Sequence, residues 1–296
     1  MSVSASPPLP AAAAPPPGRT RRGLRNGSLF LPAAVLLAAF FLAPLAVMVV
    51  RAFTDPQTGL QNFSWFFGDA VQVDVLIRTF RTALIVTVVC ALLAYPYAYL
   101  MTVVGPLGLA VLTLLVLVPF WTSLMVRTFA WVILLQDTGV VNDVLGFFGL
   151  GPVQLIRTTT GVVIGMSQIL LPFMVMPLYA VMRGIDRRLL QASSGLGAKP
   201  LTTFVKVWLP LSLPGLAAGA LMVFISSLGF YVTPALLGSP DTALVSQQIF
   251  TQVNGLLEWG RGGAMGVIVL VMTLVLLAVS AGALRLLGGQ RPEGRA

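Results

Sequence analysis

The sequence predicts an all-α integral membrane protein that crosses the bilayer six times and keeps both termini in the cytoplasm. Three observations predict it: an apolar composition, six long runs without charge, and a lopsided placement of Lys and Arg. With 57% hydrophobic and 9% charged residues in 296, the chain is too poor in charge to clothe a soluble surface, which carries roughly 25–35% charged side chains. A helix rises ~1.5 Å per residue, so about 20 apolar residues match a hydrocarbon core of ~30 Å.

The segment 1–28 is predicted to be a disordered cytoplasmic tail. Its stretch ASPPLPAAAAPPP at 5–17 is low-complexity and rich in Pro and Ala, and it has too little to bury in a core. The following Arg21-Arg22 pair before an apolar run resembles an export signal, but the run is too long for one and five more follow, so it is read as an uncleaved first helix. The predicted spans are 29–50, 82–104, 107–126, 160–182, 212–234 and 263–284, and none contains Lys, Arg, Asp or Glu. They form one membrane domain, 29–290, with a loop at 183–211 between the fourth and fifth spans.

Orientation follows from the basic residues. With the N-terminus inside, the inner segments hold 12: Arg19, Arg21, Arg22, Arg25, Arg183, Arg187, Arg188, Lys199, Lys206, Arg285, Arg291 and Arg295. The outer segments hold 6: Arg51, Arg78, Arg81, Arg127, Arg157 and Arg261. An excess of Lys and Arg marks the cytoplasmic side. The net charge of +9 is therefore topology, and no nucleic-acid partner is expected, because the basic residues sit beside spans and form no long basic face.

Absences narrow the function. The chain has no His and one Cys, Cys90, which excludes His acid–base chemistry, a His metal site and any disulfide within the chain. The spans hold no carboxylate to couple a proton or ion, which weighs against the alternative reading, a secondary (ion-coupled) transporter. A GxxxxGK[ST] phosphate loop is also missing. Energy for uphill transport is then expected from another subunit, with no cofactor in this chain and ATP and Mg held by the partner.

The loop at 183–211 is organised. A helix from Asp186 would place Leu189, Ala192, Ser193 and Leu196 on one face, Leu at its ends and small residues between, where a partner could approach closely. Gly197 suits the turn that ends such a helix, and Pro200 suits the first position of the next. An amphipathic loop lying on the lipid surface is the competing reading. In the fifth span, Gly215 and Gly219 have GxxxG spacing for close packing, either within the chain or on a second one. Ser226, Ser227, Tyr231 and Thr233 bring hydroxyls to that span, either lining a path or bonding back to its carbonyls. Gln168 in the fourth span is a similar candidate. Trp121, Trp131 and Arg127 cluster near one end of the third span, as an aromatic belt with a snorkelling Arg would.

The residues resemble a known family. The loop reads QASSGLGA at 191–198 and FVKVWLPLSLPG at 204–215, and it resembles the EAA motif of ABC-importer permease subunits. The phrases VPFWTSLMVRTFAWVILL at 118–135, ILLPFMVMPLY at 169–179 and SLGFYVTPALLGSP at 227–240 resemble the spermidine/putrescine (PotB-like) type within it. The resemblance implies a six-helix type I permease fold in a bacterial inner membrane and alternating access. It also implies three kinds of partner: ATP-binding subunits, a second permease subunit and an extracytoplasmic substrate-binding protein. The ATPase contact would fall on Asp186, Leu189, Leu190, Gln191, Ala192, Ser193, Leu196, Gly197 and Ala198. The sequence departs from the motif at Gln191, where the family has an acid, and at Ser193, where it has a second alanine; glutamine can hydrogen-bond there but brings no charge.

Overall fold

The computed structural model describes residue 32 and residues 34–288; the predicted tail and the basic residues Arg19, Arg21, Arg22, Arg25, Arg291 and Arg295 lie outside the described residues. Within them all regular structure is helical. Helix α1 (Ala34–Thr54) passes through a π-turn at Ala38–Leu42 and exposes Leu36, Leu37, Phe40 and Phe41.

From Arg51 onward, helices α2 (Gln61–Gly68) and α3 (Ala70–Val103) follow. Asp69 starts α3 by accepting the Val71 N–H at 2.9 Å, one of the unpaired donors every helix start presents. Gly105 and Pro106 separate α3 from α4 (Pro106–Leu117), with Pro106 at the first helical position. A 3₁₀ turn, Val118–Trp121, continues α4, and α5 (Leu124–Leu134) then leaves at 102° to it. Short α6 (Val140–Phe147) leads to α7 (Thr159–Arg183), α8 (Arg187–Gly195) and α9 (Pro200–Leu228), the last with a π-turn at Phe204–Trp208. The chain closes with α10 (Val232–Leu237), α11 (Val245–Phe250) and α12 (Trp259–Gly288).

Five helices, α1, α3, α7, α9 and α12, are long and apolar enough to cross a membrane, and the bent pair α4–α5 makes a sixth if it crosses as one unit. The third predicted span, 107–126, therefore differs from expectation: it breaks at Thr122–Ser123. Pro119 has no N–H, the preceding turn tightens to 3₁₀, and Thr122 and Ser123 take extended ψ of 146° and 135°. The Pro119 carbonyl accepts both the Thr122 N–H at 3.2 Å and the Thr122 hydroxyl at 2.8 Å, so backbone and side chain together keep the broken end paired. The fifth predicted span, 212–234, also divides, ending at Leu228 and resuming as α10 after Gly229.

Helices α3, α7 and α9 pack on one another around the main core. Each contributes a stripe at spacings of three and four. On α3 the buried positions are Val86, Cys90, Ala94, Ala98 and Met101; on α7 they are Met166, Leu170, Met174, Leu178 and Met182. Small residues on α3 and α9 face large ones on α7, so ridges seat in grooves. A Cβ at Gly219 would stand 3.0 Å from the Met174 carbonyl oxygen, and one at Gly215 would stand 2.8 Å from the Val181 Cβ. The GxxxG face of α9 is thus spent on α7 within this chain.

Candidate functional site

Helix α8 is built as its sequence predicts. Asp186 caps it by accepting the Arg188 N–H at 2.9 Å. At the other end Gly197 takes φ +81°, and the N–H groups of Gly197 and Ala198 donate to the carbonyls of Ser194 (2.9 Å) and Ser193 (3.2 Å). This is the paired closure of a Schellman turn, which needs the left-handed conformation that glycine adopts without strain. Pro200 opens α9 at its first position.

The structure sorts the predicted contact residues into two faces. Leu189, Gln191, Ala192 and Leu196 are exposed, Leu196 at 90%. Leu190 turns inward against the main core. Ser193 also turns inward: its hydroxyl pairs with that of buried Thr203 at 2.9 Å, so the outward direction expected for Ser193 beside Ala192 is corrected. A residue four positions from Leu189 has turned by ~40° around the helix, enough to cross from its outer to its inner side. Ala198 is half-buried in the closing turn.

Bracing of α8 involves residues the spacing argument did not single out. Arg187 donates its guanidinium to the carbonyl of Thr102 in the last turn of α3. Below it, Tyr95 and Tyr99 of α3 meet Phe204 and Trp208 of the π-turn edge-on, with ring centroids 5.8 and 5.3 Å apart. The Tyr95 and Ser212 hydroxyls bond at 2.8 Å. No spacing rule links a side chain to a carbonyl 85 residues earlier; the only signal was the aromatic pair four residues apart in each helix.

At the far end of the bundle the break before α5 brings a polar cluster together. Trp131 donates its indole N–H to the side-chain oxygen of Gln168 on α7 at 3.3 Å. Thr128 pairs with Thr233 of α10 at 3.2 Å while donating to the Leu124 carbonyl. Gly165 permits this approach, since a Cβ there would meet Leu237 and Thr233 at 2.5 and 2.9 Å. Arg127 lies four residues before Trp131 and keeps a buried Nε without a hydrogen-bond partner.

The remaining path candidates divide. Ser227 is buried and donates to the Val223 carbonyl at 2.7 Å, the back-bonded state. Tyr231 is half-buried against Phe250, ring centroids 4.8 Å apart, and Ser226 is half-buried on α9. Gln168 and Thr233 thus join one cluster, while Ser226, Ser227 and Tyr231 lie along the α9–α10 connection. Sequence reading gave Trp131 an interfacial role and passed over Thr128.

A bundle of long apolar helices, interrupted by a capped polar helix with an outward apolar face and holding neutral polar groups at depth, is the build of a multi-pass transport component. The chain belongs to the family of binding-protein-dependent transport system inner membrane components, which it matches over residues 75–289. It is 34% identical over 253 residues to the spermidine/putrescine transport system permease protein PotB of Escherichia coli (strain K12), covering 84% of this chain and 90% of that protein. To the inner membrane ABC transporter permease protein YdcU of the same organism it is 32% identical over 238 residues, 75% of each chain. A chain of the bacterial alginate ABC transporter, solved in complex with an alginate pentasaccharide-bound periplasmic protein, shares the fold with a TM-score of 0.71 at 18% identity, covering 88% of this chain and 93% of that one. The chain is therefore a permease component of an ABC importer in the inner membrane, working with a substrate-binding protein and the other parts of such a transporter. The ion-coupled alternative is set aside.

Proposed function

We propose that this chain is the permease subunit of an importer for polyamines such as spermidine and putrescine, moving them by alternating access while separate ATP-binding subunits hydrolyse ATP with Mg. The observation that carries the substrate class is the 34% identity to PotB over most of both chains. The outward face of α8 is the ATPase contact: Leu189, Ala192 and Leu196 fill a partner groove and Gln191 hydrogen-bonds to it. Asp186, Gly197 and Ala198 fix its shape, with Leu190 and Ser193 as its inner attachment. Both termini and α8 lie in the cytoplasm, and a second permease subunit completes the path.

Gln168, Ser226, Ser227, Tyr231 and Thr233 stand on or near that path. An aromatic face such as that of Tyr231 attracts an ammonium group by about 0.5–2 kcal/mol, weak enough for a polycation to leave again, and neutral side-chain oxygens can accept its N–H groups. The test is uptake of labelled spermidine and putrescine into proteoliposomes holding the complete transporter and its binding protein. ATP-dependent, saturable entry of either is expected; entry of a different solute with neither polyamine moving would overturn the substrate class and leave the permease assignment intact.

A further inference from the structure

We infer that Arg187 and the Ser193–Thr203 hydroxyl pair are positioning residues that carry movement of α8 into the spans, with α3 as the lever. The inference rests on α8 being the contact with the ATP-binding subunit.

A helix of 9 residues is marginal on its own, since isolated helices shorter than ~12–15 residues are marginal in water. It moves other elements only through what it is bonded to. Its first residue, Arg187, donates to the Thr102 carbonyl. That carbonyl belongs to the last turn of α3, where no intrahelical donor remains and a cation complements the helix dipole. Near its end, Ser193 bonds Thr203 at 2.9 Å; Thr203 is buried at the start of α9. Leu190 enters the core between these points. All three attachments lie on the inner side, while Leu189, Ala192 and Leu196 are exposed, so a force on the outer face passes inward through them, alongside the chain itself and the packing of α8 on the π-turn.

Helix α3 carries the movement on. Its other half holds Thr79, which accepts the Val245 N–H at 2.9 Å while donating to the Val75 carbonyl at 2.8 Å. Thr79 and Thr102 are separated by ~35 Å along one helix at ~1.5 Å per residue. One end of α3 is bonded to α8 and the other to the start of α11, just beyond α10 and Thr233. Tilting α3 therefore shifts the segment beside the polar cluster.

The test uses the complete transporter carrying Asp241→Cys, in the exposed turn Pro240–Thr242, labelled with an environment-sensitive fluorophore. Reading emission with and without ATP makes the outcome independent of the solute. We expect an ATP-dependent change in the otherwise unaltered chain, and its absence there would overturn the lever. With Arg187→Ala or Thr203→Val, ATP-binding subunits should co-purify as before and hydrolyse ATP. The emission change should fall about tenfold in Arg187→Ala, the order expected for losing one hydrogen bond from a charged donor, and about fivefold in Thr203→Val, which loses a bond between neutral hydroxyls. Arg187→Lys, which still donates to a carbonyl, should restore most of it. An unaltered emission change in both Arg187→Ala and Thr203→Val, failure of Arg187→Lys to rescue, or loss of co-purification in step with the signal would each overturn the link. If Arg187→Ala does not fold, Thr203→Val decides alone. Leu196→Asp probes the docking reading separately: it should abolish co-purification, and a normal complex with Leu196→Asp would remove α8 as the ATPase contact.

Discussion

Gly195 and Gly197 stand two residues apart and answer to opposite requirements. Gly195 is the last helical residue of α8, and an added Cβ would meet nothing within 4 Å; Gly195→Ala is expected to stabilise by about 0.5–1 kcal/mol through helix propensity. Gly197 also has open space but holds φ +81°, so Gly197→Ala should cost about 1–2 kcal/mol from the backbone alone. Thermal melts of the detergent-solubilised permease should move in opposite directions for the two variants. This much was legible in the sequence, because a cap, a turn glycine and a following proline are local. The direction of Ser193 was not legible, since spacing fixes which residues share a face and leaves open which neighbour that face meets. Gln168 is the same case: its partner Trp131 lies on another helix, 37 residues away.

Among elements, the pairing of α7 with α9 has a direct test. The Cβ of Gly219→Ala would stand 3.0 Å from the Met174 carbonyl oxygen and 3.1 Å from its Cα, and backbone on both sides leaves little room to give way. A cost of about 1–3 kcal/mol is expected, whereas Gly229→Ala, with nothing within 4 Å, should stay within about 0.5 kcal/mol. Equal melting shifts for the two would place the close contact elsewhere. The connection between α5 and α7 depends on Asn142, which is buried and donates to the carbonyls of Gln136 and Val153 at 3.0 and 3.1 Å while accepting the Val153 N–H at 2.8 Å. The Gln136 carbonyl keeps the Gly139 N–H at 2.8 Å, so Asn142→Leu strands the Val153 N–H and carbonyl, at about 1–3 kcal/mol, and limited proteolysis should cut residues 136–157 faster. The long helices were legible because hydropathy over about 20 residues reports existence. The 102° break before α5 was hidden, because an apolar run carries no signal for its own direction.

For the whole molecule, the distribution of charge sets the prediction. Segments 183–206 carry Arg183, Arg187, Arg188, Lys199 and Lys206, all exposed, against the acid Asp186. Segments 51–81, 127–157 and 241–261 carry Arg51, Arg78, Arg81, Arg127, Arg157 and Arg261, against Asp55, Asp69, Asp74, Asp137, Asp143, Asp241 and Glu258. Two of these charges also neutralise each other in the Arg78–Asp74 pair at 2.7 Å. Since orientation follows Lys and Arg in short loops, the expected arrangement has the α8 end in the cytoplasm and the other end outside. Lys199→Cys and Asp143→Cys both lie at exposed positions, and the native Cys90 is buried, so the background from the intact protein is low. A membrane-impermeant thiol reagent added to intact spheroplasts should label Asp143→Cys and spare Lys199→Cys until the membrane is opened. The reverse pattern would turn the bundle over, take α8 out of reach of any ATP-binding subunit, and remove the proposed drive for transport along with the orientation. Labelling at both positions from outside would mean that α7 does not cross, because among the described residues it is the one candidate span between the two sites.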